Sequence, residues 1–153
     1  MRDFRAPLSI NAGALRVLVV DDNADVAESL GILLDMHGHS VLTCLHPQEA
    51  LEVAPRFAPQ VCILDIGLPG MSGHELAKAL RAGGLTRSTY IAVTGYGSDE
   101  AREATRAAGF AMHLTKPVDP SYLLEKLSAI REARSTDDLG PKNGWLGSLR
   151  VAS

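Results

Sequence analysis

The stretch VCILDIGLPGMSG, residues 61–73, decides how the chain is read. Its first four residues are apolar, the fifth is Asp65, and a loop rich in Gly and Pro follows at once. An apolar run of this length between turn signals predicts a strand covered on both faces. In an open parallel α/β sheet, ligands bind outside the carboxyl ends of the strands, and Asp65 would stand there. Alone, Asp65 reads equally as a cap for the next helix. Its weight comes from residues elsewhere in the chain.

Outward toward the N-terminus, SVLTCL (40–45) is the second strand, and Pro47 opens a short helix expected to end by Pro55. Before it, LRVLVVDD (15–22) is the first strand and closes on Asp21 and Asp22. ADVAESLGILLDMHG (24–38) follows as a helix, with Val26, Leu30, Leu33 and Leu34 on one face. Asn23 or Asp25 serves as its cap, and Gly38 suits its left-handed end. Outward toward the C-terminus, GHELAKALRAGG (73–84) predicts a helix with Leu76 and Leu80 inward. TYIAV (89–93) is the fourth strand and runs into Thr94, Gly95, Tyr96 and Gly97. SDEAREATRAAG (98–109) is a helix capped by Ser98 and ended by Gly109. AMHLT (111–115) is the fifth strand and leads into Lys116 and Pro117. The last helix, within 119–134, carries Leu123, Leu124, Leu127 and Ile130 on one face. Five strands alternating with five helices predict an α/β fold built on a doubly wound, five-stranded parallel sheet.

The 153 residues suit one domain, and 46% apolar with 22% charged residues is ordinary for a globular protein. A formal charge of −3 gives no basic footprint, so direct nucleic-acid binding is disfavoured. Neither a signal peptide nor an apolar run of the roughly 18 residues needed to span a bilayer is present. A cytoplasmic location is therefore expected. Residues 1–14 read as a leader, 15–134 as the domain, and 135–153 as a tail containing Trp145, with no output domain following. Cys44 and Cys62 sit in apolar runs without zinc spacing and read as reduced core thiols. His37 and His39 form a metal pair lacking a third ligand.

At the carboxyl ends of the strands stand Asp21 and Asp22, Asp65, Thr94, and Lys116. A parallel sheet brings all of these to one rim. Clustered carboxylates repel unless a cation joins them, and hard oxygen donors suit Mg²⁺ better than zinc. Beside such an ion Asp65 stays ionised and can attack a phosphoryl group, giving an acyl phosphate. Lys116, Thr94 and the ion would meet the phosphoryl oxygens from three sides. A cis Lys116–Pro117 bond would aim the lysine inward.

The pattern VLVVDD, VCILDIGLPGMSG, AVTGYG and HLTKPVD resembles the receiver domains of two-component response regulators, over about residues 15–134. The resemblance implies the flavodoxin-like strand order 2-1-3-4-5, which that family shares with flavodoxin. It implies Asp65 as phospho-acceptor, and Asp22 as the direct Mg²⁺ ligand with Asp21 acting through water. It further implies the Gly67 backbone carbonyl as the remaining protein ligand, and Thr94 and Lys116 as readers of the phosphoryl group. The implied donor is a histidine kinase or histidine phosphotransfer protein. The implied receiver of the message is a downstream protein reading the surface 98–134, a surface equally open to a weak dimer. The resemblance also implies a module that assists its own phosphorylation and dephosphorylation and is not expected to be an enzyme toward an external substrate.

Three features are particular to this chain. His113 stands three before the lysine, where many receivers carry Tyr or Phe; the histidine is similar to what receivers attached to hybrid kinases often carry. Stand-alone regulator and hybrid-kinase segment both remain open. Gly67 and Tyr96 flank the route of the attacking water, and Gly67 offers no side chain to orient it, so slow loss of phosphate is expected. The Ala-rich helix 98–108 buries little apolar bulk, as a moving element should. Two other readings compete: a pseudo-receiver that only binds partners, and a phosphohydrolase of the haloacid-dehalogenase type. The latter needs two acids spaced two apart after the first strand, whereas Asp21 is followed at that spacing by Asn23.

Overall fold

The computed structural model describes residues 14–95 and 97–135. The strands are β1 (Arg16–Val20), β2 (Ser40–Cys44), β3 (Val61–Asp65), β4 (Thr89–Thr94) and β5 (Met112–Thr115). The helices between and after them are α1 (Ala24–Met36), α2 (Pro47–Phe57), α3 (Gly73–Ala82), α4 (Asp99–Ala107) and α5 (Pro120–Ser135). All four strand pairings are parallel, in the order β2-β1-β3-β4-β5. The sheet and strand order are those expected. Trp145, Tyr96, residues 1–13 of the leader and most of the tail lie outside the described residues.

The unbroken apolar runs have a direct cause, because side chains alternate across a strand and here both faces are covered. Val17, Val19, Val61, Ile63, Ile91 and Val93 face one side, against Leu30 and Leu34 of α1 and Leu123, Leu127 and Ile130 of α5. Leu18, Val20, Cys62, Leu64, Tyr90 and Ala92 face the other, against Ala50 and Ala54 of α2 and Leu76, Ala77 and Leu80 of α3. Both cysteines are buried and free, and burial pushes each thiol up to about 12. They are core, as their setting predicts.

Helix ends follow local chemistry. The Asn23 side chain accepts from the N–H groups of Asp25 and Val26. Gly38 and Gly109 take φ of 91° and 93° just past α1 and α4, where a Cβ would be strained. One expectation needs correction: α2 does not end by Pro55 but continues to Phe57, with Pro55 inside it. A proline this near the C-terminus removes one bond of the last turn, and the Ala58 N–H closes the helix on Ala54 O at 2.8 Å. The histidine pair is also accounted for locally: His39 Nδ1 accepts from Leu15 N–H, and His37 Nδ1 lies 3.0 Å from Leu33 O. No helix among the described residues is long and apolar enough to cross a membrane.

Candidate functional site

The rim at the carboxyl ends of the strands gathers the expected residues. Asp65 is the last residue of β3 and buried, and Asp21 follows β1 and is buried as well, whereas Asp22 is open to solvent. One carboxylate oxygen from each of the three lies within 4.8 Å of the others. Lys116 reaches in from the end of β5. Its Nζ stands 3.0 Å from Asp21 Oδ2 and 3.6 Å from Asp65 Oδ2. The remaining oxygens bond to backbone: Asp21 Oδ1 accepts from Asn23 N–H at 2.9 Å, and Asp65 Oδ1 from Gly67 N–H at 3.1 Å.

Thr94 ends β4 and is buried, and its carbonyl accepts from Lys116 N–H at 2.8 Å, which fixes the root of the lysine. The Lys116–Pro117 bond is cis. His113 is buried in β5, in register with Ala92. A Cβ on Gly67 would lie 3.9 Å from Asp65 Oδ1, so the space beside that oxygen is kept clear.

Electrostatics follow from this packing. Burial is the largest influence on Asp65 and raises its pKa; Asp21 and Asp22 push the same way, while the Gly67 N–H and Lys116 only partly offset them. For Lys116, burial favours the neutral form, but the hydrogen bond to Asp21 and the charges of Asp21 and Asp65 outweigh it and the pKa ends raised. Asp21 and Asp65 thus share one ammonium, and Asp22 stands beside them without it. The crevice retains an excess of negative charge supplied by hard oxygen donors, and Asp22 keeps one side wet, an arrangement suited to a Mg²⁺ ion that retains waters.

The backbone beneath Asp65 is set by a signal that strand and helix periodicity pass over. Ser72 and Glu75 form a reciprocal capping box at the start of α3, legible in the sequence as Ser-x-x-Glu. The Gly73 N–H then bonds Ile66 O at 3.0 Å. A Cβ on Gly73 would stand 2.5 Å from Asp65 O and 2.8 Å from Ile66 Cα. Gly73→Ala is therefore expected to cost about 1–3 kcal/mol, the usual penalty of overpacking against atoms that cannot yield. Urea unfolding checks it, and a loss within error of zero would mean the loop moves freely.

Comparison with known proteins agrees with this geometry. The family model described as "Response regulator receiver domain" matches residues 17–128. The chain is 30% identical over 116 residues to Protein PilH of Pseudomonas aeruginosa, covering 75% of this chain and 96% of that protein. It resembles the chemotaxis protein CheY4 of Vibrio cholerae with a TM-score of 0.72 and 30% identity, over 76% of this chain and 98% of that one. It also resembles a chain in the co-crystal structure of the Saccharomyces cerevisiae histidine phosphotransfer signaling protein Ypd1 with the receiver domain of its downstream response regulator Ssk1. There the TM-score is 0.75 with 25% identity, over 82% of this chain and 94% of that one. Against several other curated relatives the chain spans about half their length.

Proposed function

Since the chain belongs to the response regulator receiver domain family of two-component systems, we propose that Asp65 is its phospho-acceptor. The observation that carries this reading is the grouping of Asp65 with Asp21, Asp22 and Lys116 at one rim. An Asp65 carboxylate oxygen attacks the phosphorus of a phosphohistidine. The new P–O bond forms as the P–N bond breaks, and the leaving imidazole nitrogen keeps the electron pair and takes up a proton. Hydrolysis later returns the carboxylate and inorganic phosphate.

The chain's own groups divide the work. Lys116, already held between Asp21 and Asp65, follows the charge that develops on a phosphoryl oxygen, and the Thr94 hydroxyl meets a second oxygen. Asp21, Asp22, Asp65 and the Gly67 carbonyl would hold Mg²⁺, which when bound neutralises the carboxylates and the incoming phosphoryl group. Gly67 carries no side chain that could orient a water beside Asp65, so slow loss of the phosphoryl group is expected. Phosphorylation adds about −1.5 to −2 charges and biases the α4–β5–α5 surface that a downstream protein, or a second copy in a weak dimer, reads.

The donor is a histidine kinase or phosphotransfer protein, a reading favoured by the likeness to a chain of the Ypd1–Ssk1 co-crystal. A cytoplasmic location accords with that partner class. The test is intact mass after incubation with a small acyl phosphate. One added phosphoryl group is expected with Mg²⁺ and none when Mg²⁺ is chelated. A chain that never gains mass, even from a phosphorylated phosphotransfer protein, would be a pseudo-receiver. Rapid turnover of a small phosphate ester would instead favour the phosphohydrolase.

A further inference from the structure

α4 is poorly anchored by apolar packing, and within the helix only Thr105 is buried. Besides its packing beside β5, two side chains of α3 reach it. His74, the second residue of α3, places Nε2 3.3 Å from Thr105 Oγ1, and its ring meets Phe110 edge-on with centroids 5.7 Å apart. About two turns further along α3, Arg81 donates from Nη2 to the carbonyl of Ala108 at 2.8 Å, and its guanidinium lies 4.7 Å from the centroid of Tyr90. Ala108 is the C-cap of α4, so the arginine satisfies a carbonyl that the helix leaves without an internal partner. A Cβ on Gly109 would collide with that guanidinium. The other end of α3 stands on the acceptor, because Gly73 is seated against the Asp65 carbonyl and Ile66.

We propose that α3 is a clasp: it holds α4 in its present arrangement through His74–Thr105 and Arg81–Ala108, and ties that arrangement to the backbone at Asp65. His74 and Thr105 are positioning residues of the switch, touching neither the ion site nor the phosphoryl group. The tie to Asp65 rests on the phospho-acceptor reading above, whereas the hold on α4 does not. Movement of the loop after Asp65 tilts the first turn of α3 and with it the hydroxyl contact to α4. This route runs beneath the sheet rim and is separate from the one expected through Thr94 and His113. Because a threonine hydroxyl both donates and accepts, the contact serves either tautomer of His74. Coupling between sites is reciprocal, so cutting the clasp must favour whichever arrangement the phosphoryl group stabilises.

The experiment compares the full chain with His74→Ala, Thr105→Val, the double variant and Thr105→Ser. Amide hydrogen exchange is read across α1 and α4, and phosphoryl uptake from a small acyl phosphate is read by mass. Each single loss is expected to speed α4 exchange about fivefold, the low end of measured couplings. The double variant should go no further than His74→Ala alone, because the shared contact and the edge-on contact to Phe110 are already lost with the histidine. α1 exchange should not change, Thr105→Ser should restore protection, and phosphoryl uptake should rise by a similar factor. Unchanged α4 exchange, an equal rise in α1, or additive single effects would overturn the clasp. Faster α4 exchange with unaltered uptake would overturn its tie to Asp65. If the parent chain takes up no phosphoryl group while Thr105→Val still loosens α4, the hold on α4 stands and the phospho-acceptor reading fails.

Discussion

Asp65→Asn is expected to abolish phosphoryl uptake and, without Mg²⁺, to make the protein more stable at neutral pH. The loss is complete because the amide nitrogen and oxygen lack the charge of the attacking carboxylate, and Asp21 already has one oxygen on Lys116 and the other on Asn23 N–H. The gain in stability follows from the raised pKa of Asp65, caused first by burial and then by Asp21 and Asp22. A carboxyl that holds its proton more tightly folded than unfolded costs nothing while both states are protonated. As pH rises from the ordinary carboxylate value through the raised folded value, ionisation comes to favour the unfolded chain. Parent and variant should therefore coincide at low pH and diverge as pH rises through that window. Thermal unfolding from acid to neutral pH, with metal chelated, reads the divergence. Saturating Mg²⁺ should reverse the order, since binding at 100 times Kd adds about 2.7 kcal/mol to the parent. A variant less stable than the parent at every pH would mean that Asp65 is a structural anchor.

Lys116→Met is expected to separate ion binding from phosphoryl transfer. The ammonium bridges Asp21 and Asp65, so its removal leaves three carboxylates facing one another uncompensated. Mg²⁺ should then bind more tightly, because it no longer competes with a resident cation. Phosphoryl uptake should fall about 10²–10³-fold, the usual loss when one preorganised charge on a transition-state oxygen is removed. Without the ion the fold should also weaken by about 1–3 kcal/mol, less than for a fully buried pair because Lys116 remains partly exposed. Titration with Mg²⁺ and single-turnover mass measurements read the two effects separately. Weaker Mg²⁺ binding together with slower uptake would show that the lysine positions the acids and does not serve the phosphoryl group directly.

Much of this was legible in the sequence because the governing interactions are local. Strands covered on both faces write continuous apolar runs, as in residues 17–20 and 61–64, and helices write theirs at helical spacing, as in Leu123, Leu127 and Ile130. Caps at Asn23, Ser72 and Ser98 need only a side chain and the first-turn amides beside it. The gathering of Asp21, Asp22, Asp65, Thr94 and Lys116 at one rim follows once the strands are taken as parallel.

Other features depended on distances between segments, which no local pattern encodes. Local rules stop a helix at Pro55, yet α2 runs on two residues to Phe57 and closes through the Ala58 N–H on Ala54 O. Nothing in the two adjacent acids distinguishes buried Asp21, bonded to Lys116, from Asp22 in solvent; the turn into α1 decides it. The attachment of α4 through His74 and Arg81 joins residues 31 and 27 positions apart. Propensity, periodicity and topology were therefore enough for the elements, their parallel sheet and the set of residues gathered at its rim. Which acids the lysine meets, how closely Gly73 sits on the Asp65 carbonyl and which α3 side chains reach α4 came from the packed fold, because each is settled by how closely separate segments approach.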